Sequence, residues 1–84
     1  MNITFKLFAT LTDYLPPSAR AGNIVELEVD ENATVDEVIA PYGIPPKLVH
    51  LVLVNGVYVP PEERATRNLN AGDVLAVWPP IAGG

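Results

Sequence analysis

Proline stands at positions 16, 17, 41, 45, 46, 60, 61, 79 and 80, nine times in 84 residues, about twice the ordinary usage of ~5%. Each ring fixes φ and removes a backbone donor, so regular elements have to fit between these sites. Ahead of the first pair, Ile3, Phe5 and Leu7 alternate with Thr4 and Lys6, which predicts a strand over 2–9 with one buried face. Phe8 departs from the alternation and is placed to cover the sheet edge. Residues 13–22, holding Pro16-Pro17, read as a loop that proline keeps from becoming helix. A second strand is predicted over 23–29, with Val25, Leu27 and Val29 on one face and Ile24, Glu26 and Glu28 on the other. The loop before it is too long for a tight hairpin and still compatible with antiparallel neighbours.

Thr34-Val35-Asp36-Glu37 has the spacing of a capping box, after which Val35, Val38 and Ile39 share one helical face. Pro41 cannot donate to the carbonyl of Glu37, so the helix is short, and Gly43 suits its stop. Ile44-Pro45-Pro46 restarts the chain in an extended or single-turn form. His50–Val54 is a continuous apolar run that predicts a strand covered on most of its surface. Asn55-Gly56 is a strong hairpin signal, since both residues tolerate positive φ, and Val57-Tyr58-Val59 returns until Pro60-Pro61 ends it. Residues 62–73 are polar apart from Leu69. There Glu62-Glu63 beside Arg64 and Arg67 reads as an ordinary charged loop, and Gly72-Asp73 as a turn before a last strand over Val74–Trp78. The order is strand, strand, helix, strand, short strand, strand. One helix covers only one face of a sheet, so the expected class is α+β, a mixed sheet with a short helix across one face. The β-grasp, or ubiquitin-like, arrangement fits that order, with a domain over 1–78 and a flexible extended tail over 79–84.

Composition excludes much of the chemistry a chain might carry. Cysteine is absent and His50 is the single histidine, which removes thiolate nucleophiles, disulfides and zinc sites of familiar ligand count. The glycines at 22, 43, 56 and 72 form no phosphate loop. His50 reads as structural, or as a hydrogen-bonding group at the sheet edge. A net charge of −5 is the wrong sign for a nucleic-acid binder or for an anionic membrane. Glu26, Glu28, Asp30 and Glu31 read as a solvated face, or as one that meets a basic partner. A paired-carboxylate hydrolase needs a cleft that a domain of this size does not build. Nothing resembles a signal peptide or a span of about 20 apolar residues, and the expected location is the cytoplasm.

The tail Pro79-Pro80-Ile81-Ala82-Gly83-Gly84 has a mechanical reading. The prolines stiffen the exit and cannot extend the ladder as donors, and six extended residues reach roughly 20 Å. Gly83 and Gly84 lack side chains, so a terminal carboxylate could enter a channel closed to bulkier residues. The plain alternative is a frayed end or an expression scar.

With the Thr34-Val35 helix start, Val54-Asn55-Gly56, Leu69 and Gly72-Asp73-Val74, this tail makes the chain resemble the ubiquitin-like sulfur carriers. The proline pair before Ile-Ala-Gly-Gly is similar to the small subunit of molybdopterin synthase, and Val59-Pro60 to the thiamine-pathway carriers. The resemblance implies that Gly84 is adenylated by a ubiquitin-activating-like adenylyltransferase using ATP, then converted to a thiocarboxylate that donates sulfur. Gly83 would give clearance, and Ile81 and Ala82, with Pro79 and Pro80, would fix the tail in a partner's channel. The carrier itself would be no enzyme and would bind no cofactor or metal. Its partners would be that activating enzyme and the large synthase subunit, or a thiazole synthase in the thiamine alternative. They are expected to dock on the sheet near the last strand, where Trp78 either anchors an interface or completes the core or edge. Tyr58, Val59 and Leu75 would extend the same patch. A protein modifier joined to lysines through Gly84 and a binding-only module are the alternatives.

Overall fold

The strand that opens the chain finds its neighbours from both ends of the sequence. A computed structural model describes residues 1–80 and shows one five-stranded sheet in the order β2-β1-β5-β3-β4. The strands are β1 (Asn2–Leu7), β2 (Ile24–Glu28), β3 (Leu51–Val54), β4 (Val57–Tyr58) and β5 (Val74–Trp78). β1 pairs antiparallel with β2 and parallel with β5, while β3 pairs antiparallel with β5 and β4. A parallel pair needs a long crossover, and the chain supplies one that includes the single α-helix among the described residues, α1 (Val35–Ile39). The expected α+β, β-grasp order therefore holds. Among the described residues no helix is long and apolar enough to cross a membrane.

The core lies between the helix and one sheet face. Ile3, Phe5 and Leu7 of β1, Val52 and Val54 of β3, and Leu75 and Val77 of β5 meet Val35, Val38 and Ile39 of α1. The helix starts at a complete capping box: Glu37 N donates to Thr34 Oγ1 at 3.2 Å and Thr34 N to Glu37 Oε1 at 2.9 Å. Pro41 lies in a 3₁₀ turn, Ala40–Tyr42, which ends at Gly43 with φ 70°. This left-handed stop sets the Tyr42 ring against Phe5, centroids 4.9 Å apart. Burial there holds the Tyr42 hydroxyl above its ordinary pKa of 10.0, because the phenolate loses more hydration than the phenol.

One of the expected loops needs correction. The loop expected over 13–22 is partly built: 3₁₀ turns at Ala9–Tyr14 and Pro17–Ala19 carry Leu11 and Leu15 into the core. Proline excludes an α-helix but suits the first position of such a turn. The run 51–54, in contrast, is covered on most of its surface as expected, with Val52 and Val54 buried and Leu51 and Leu53 half-buried.

Arg64 is not part of an ordinary charged loop. It is buried beneath a 3₁₀ turn, Pro61–Glu63, and its guanidinium serves three backbone carbonyls. Nε donates to Val59 O at 3.1 Å, Nη1 to Val49 O at 3.0 Å and Nη2 to His50 O at 3.1 Å. The fork thereby joins the approach to β3 with the exit from β4, and it offsets the desolvation of its own charge by charge-assisted bonds. Arg64→Ala is expected to lower unfolding free energy by about 3 kcal/mol. Arg64→Lys should recover less than half of that, because an ammonium does not reproduce the planar fork. Urea denaturation measures both, and a loss below about 0.5 kcal/mol for Arg64→Ala, the range of a plain surface change, would contradict this role.

Candidate functional site

β5 lies in the middle of the sheet, and its alternation divides its side chains between two surfaces. Leu75 and Val77 turn toward α1 and are fully buried. Ala76, itself buried, and Trp78 turn to the face away from α1, where Ala76 stands opposite Leu53 and Lys6, and Trp78 opposite Leu51. Tyr58 stands opposite Leu53 on the same face. The result is an apolar strip across β4, β3 and β5, with the outermost residue, Tyr58, 52% exposed.

The strip ends where the chain leaves the sheet. The Trp78 ring stacks on Phe8, centroids 4.1 Å apart and planes within 6°, a contact of the aromatic pair type that adds to simple burial. Phe8 N donates to Val77 O and His50 N to Trp78 O, both at 3.1 Å, so both neighbouring segments hold the end of β5. Pro79 is half-buried and Pro80 exposed. Ile81, Ala82, Gly83 and Gly84, to which the tail's chemistry was assigned, lie outside the described residues.

Tyr58 and Trp78 thus share the open face, but Val59 and Leu75 do not extend the patch. Both are core side chains. Leu75 has the parity of Val77 and stands beside Phe5 and Val54, which also face inward. Val59 N donates to Val52 O at 2.9 Å as the chain leaves β4, and its side chain joins the core. Their places on the face are taken by Leu51, Leu53 and Phe8. The period-two pattern within 51–54 was the available signal, hidden because every residue in it is apolar.

The start of β5 is fixed as firmly as its end. Asn55 and Gly56 have φ 51° and 81°, as a type I′ turn requires. Asn55 Nδ2 donates to Asp73 Oδ1 at 2.9 Å and its Oδ1 accepts from Val74 N at 2.9 Å. Asp73 Oδ2 accepts from Asn70 N at 2.8 Å. The hairpin is thereby bonded to the Gly72-Asp73 turn, which sets the register of β5 against β3 and the place from which the tail departs.

His50 is exposed and contributes backbone bonds to Trp78 and Arg64. Glu26, Glu28, Asp30 and Glu31 are exposed, and Glu26 accepts from Thr4 Oγ1 at 2.9 Å. Among the described residues no group of three or more His, Cys, Asp or Glu side chains is placed to hold a metal.

Residues 1–82 match the Mut7-C ubiquitin family. The chain belongs to that family. No curated protein matches it, whereas several solved structures do. Small archaeal modifier protein 1, SAMP1, of Haloferax volcanii is 27% identical over the whole of both chains, with a TM-score of 0.70. A Pyrococcus furiosus protein described as a candidate subunit 1 of molybdopterin converting factor is 24% identical, covering 96% of this chain and 99% of its own, at TM-score 0.67. Subunit 1 or 2 in a Helicobacter pylori complex of both subunits of molybdopterin-converting factor is 17% identical over the whole of both chains, at 0.62. The last two likenesses establish the fold. This family member therefore has a β-grasp fold.

The division of β5 between two surfaces has a direct test. Leu75→Ala should cost about 2–5 kcal/mol of unfolding free energy, and Tyr58→Ala less than about 1. Equal losses in urea denaturation would place Tyr58 within the core and contradict the open face.

Proposed function

We propose that this protein is a ubiquitin-like sulfur carrier acting in molybdopterin synthesis, with Gly84 as the group that is charged. One observation carries the reading: the central strand β5, held on both sides as far as Trp78, runs directly into the proline pair that heads Ile81-Ala82-Gly83-Gly84. A rigid base, a stiff exit and two residues without side chains suit delivery of a carboxylate into another protein's active site.

The chemistry follows from the carboxylate. With a pKa of about 3.3–3.7 it is anionic at neutral pH and resists nucleophilic attack. A ubiquitin-activating-like adenylyltransferase would join it to AMP from ATP, releasing pyrophosphate. A sulfur donor would then displace AMP and leave a thiocarboxylate on Gly84. When that sulfur is passed to the acceptor, water restores the carboxylate. This chain supplies the reactive end and a docking face; acid–base groups come from the partners, and ATP is consumed by the activating enzyme. The reading requires Gly84 to carry a free carboxylate.

The open strip from Tyr58 to Trp78 supports docking of a large synthase subunit, and the Helicobacter pylori structure holds subunits 1 and 2 of molybdopterin-converting factor together. A thiazole synthase in that place would give the thiamine variant of the same chemistry. A second reading is favoured by the likeness to SAMP1 over full length: a lysine amine in place of the sulfur donor would yield an isopeptide and make the protein a modifier.

Deleting Gly83 and Gly84 should leave the melting temperature unchanged and abolish sulfur transfer to the molybdopterin precursor in the presence of the activating enzyme and large subunit. Transfer by the shortened protein would overturn the reading.

A further inference from the structure

We infer that the free edge of β2 is a docking site for an extended segment of another protein in which apolar residues alternate with lysine or arginine. Val29 N donates to Met1 O at 2.8 Å and Leu7 N to Asn23 O at 3.1 Å. In the observed register these bonds assign residues 23, 25, 27 and 29 to the ladder with β1. Because bonding direction alternates along an antiparallel strand, Ile24, Glu26 and Glu28 turn their N–H and C=O groups away from the sheet. β2 is the last strand in the sheet order, so these groups form an open template for one more strand.

The surroundings of this edge define what fits. On the helix side, a groove of about 600 Å³ runs between β2 and α1, with Leu27, Val29, Val38 and Tyr42 among its walls. A strand added to β2 lies about 4.8 Å away, and its helix-side side chains would enter this groove. On the other side Ile24, Glu26 and Glu28 are exposed, and Asp30 and Glu31 continue the negative charge along the groove rim. Every second residue of the incoming strand thus meets a groove with apolar walls and an acidic rim, to which Glu37 of α1 adds its carboxylate, and the residues between meet the carboxylates of β2. A second copy of this chain fits poorly. Two such edges paired antiparallel about Glu26 would bring their glutamates together on molecules each of net charge −5. Basic residues at alternate positions convert that repulsion into attraction.

The site is independent of the tail and its chemistry. It is tested on the full chain with the capped peptide Lys-Val-Lys-Val-Lys, by residue-resolved amide hydrogen exchange and by titration. At saturation the amides of Ile24, Glu26 and Glu28 should exchange at least tenfold more slowly, while those of Val25 and Leu27, already bonded to β1, stay unchanged. The double variant Glu26→Lys, Glu28→Lys alters only exposed side chains and should weaken this peptide at least tenfold while strengthening Glu-Val-Glu-Val-Glu. Several results would overturn the inference. These are protection without the alternation, binding mapped to Leu53 and Trp78, equal affinity for both peptides, or undiminished binding of a peptide N-methylated on its β2-facing amides. Slowing of the same amides with protein concentration alone would assign the edge to self-association and overturn it too.

Discussion

The parallel pairing of β1 with β5 is the constraint on which the other features depend. It joins the start of the described chain to its last strand, places β5 between β1 and β3, and obliges everything between to act as the crossover. Once β5 is central, its inward residues complete the core against α1 and its outward residues form the open strip. Its end then becomes a fixed point of departure for the tail. A strand at the sheet edge would offer the tail a looser base, because edge backbone is bonded on one side only.

Two polar clusters hold this arrangement in register. Asn55 and Asp73 tie the β3–β4 hairpin to the first residue of β5, and Arg64 ties the approach to β3 to the chain leaving β4. The first combines a side chain to side chain bond with one to backbone, the second is side chain to backbone throughout, and apolar packing alone specifies neither. Hydrophobic burial supplies the driving force, and these bonds select one register from those an apolar run such as 51–54 would accept. The sheet therefore has a defined top, where Trp78 rests on Phe8.

Features written in neighbouring residues were legible before the structure. The capping box at Thr34–Glu37, the short helix before Pro41, the Asn55-Gly56 turn and the strand Val74–Trp78 all depend on local chemistry, and all stand where expected. What was hidden depends on distance. Arg64 looks like any loop arginine because its carbonyl partners are 5, 14 and 15 residues away. Leu11 and Leu15 lie among polar and proline residues with no clear period, and their burial follows from 3₁₀ turns that close over the core. At the candidate site, Tyr58 and Trp78 were expected on an accessible surface, and both lie on the sheet face away from α1. Val59 and Leu75 were assigned to the wrong side, since an all-apolar strand does not announce which face meets solvent.

The proposed carrier role makes Gly84 the residue that is activated. Intact mass after incubation with ATP, the matched activating enzyme and sulfide tests it most directly. The account predicts a gain equal to one oxygen exchanged for sulfur, absent when Gly84 is removed. An unchanged mass, while the same enzyme charges an authentic carrier in parallel, would contradict it.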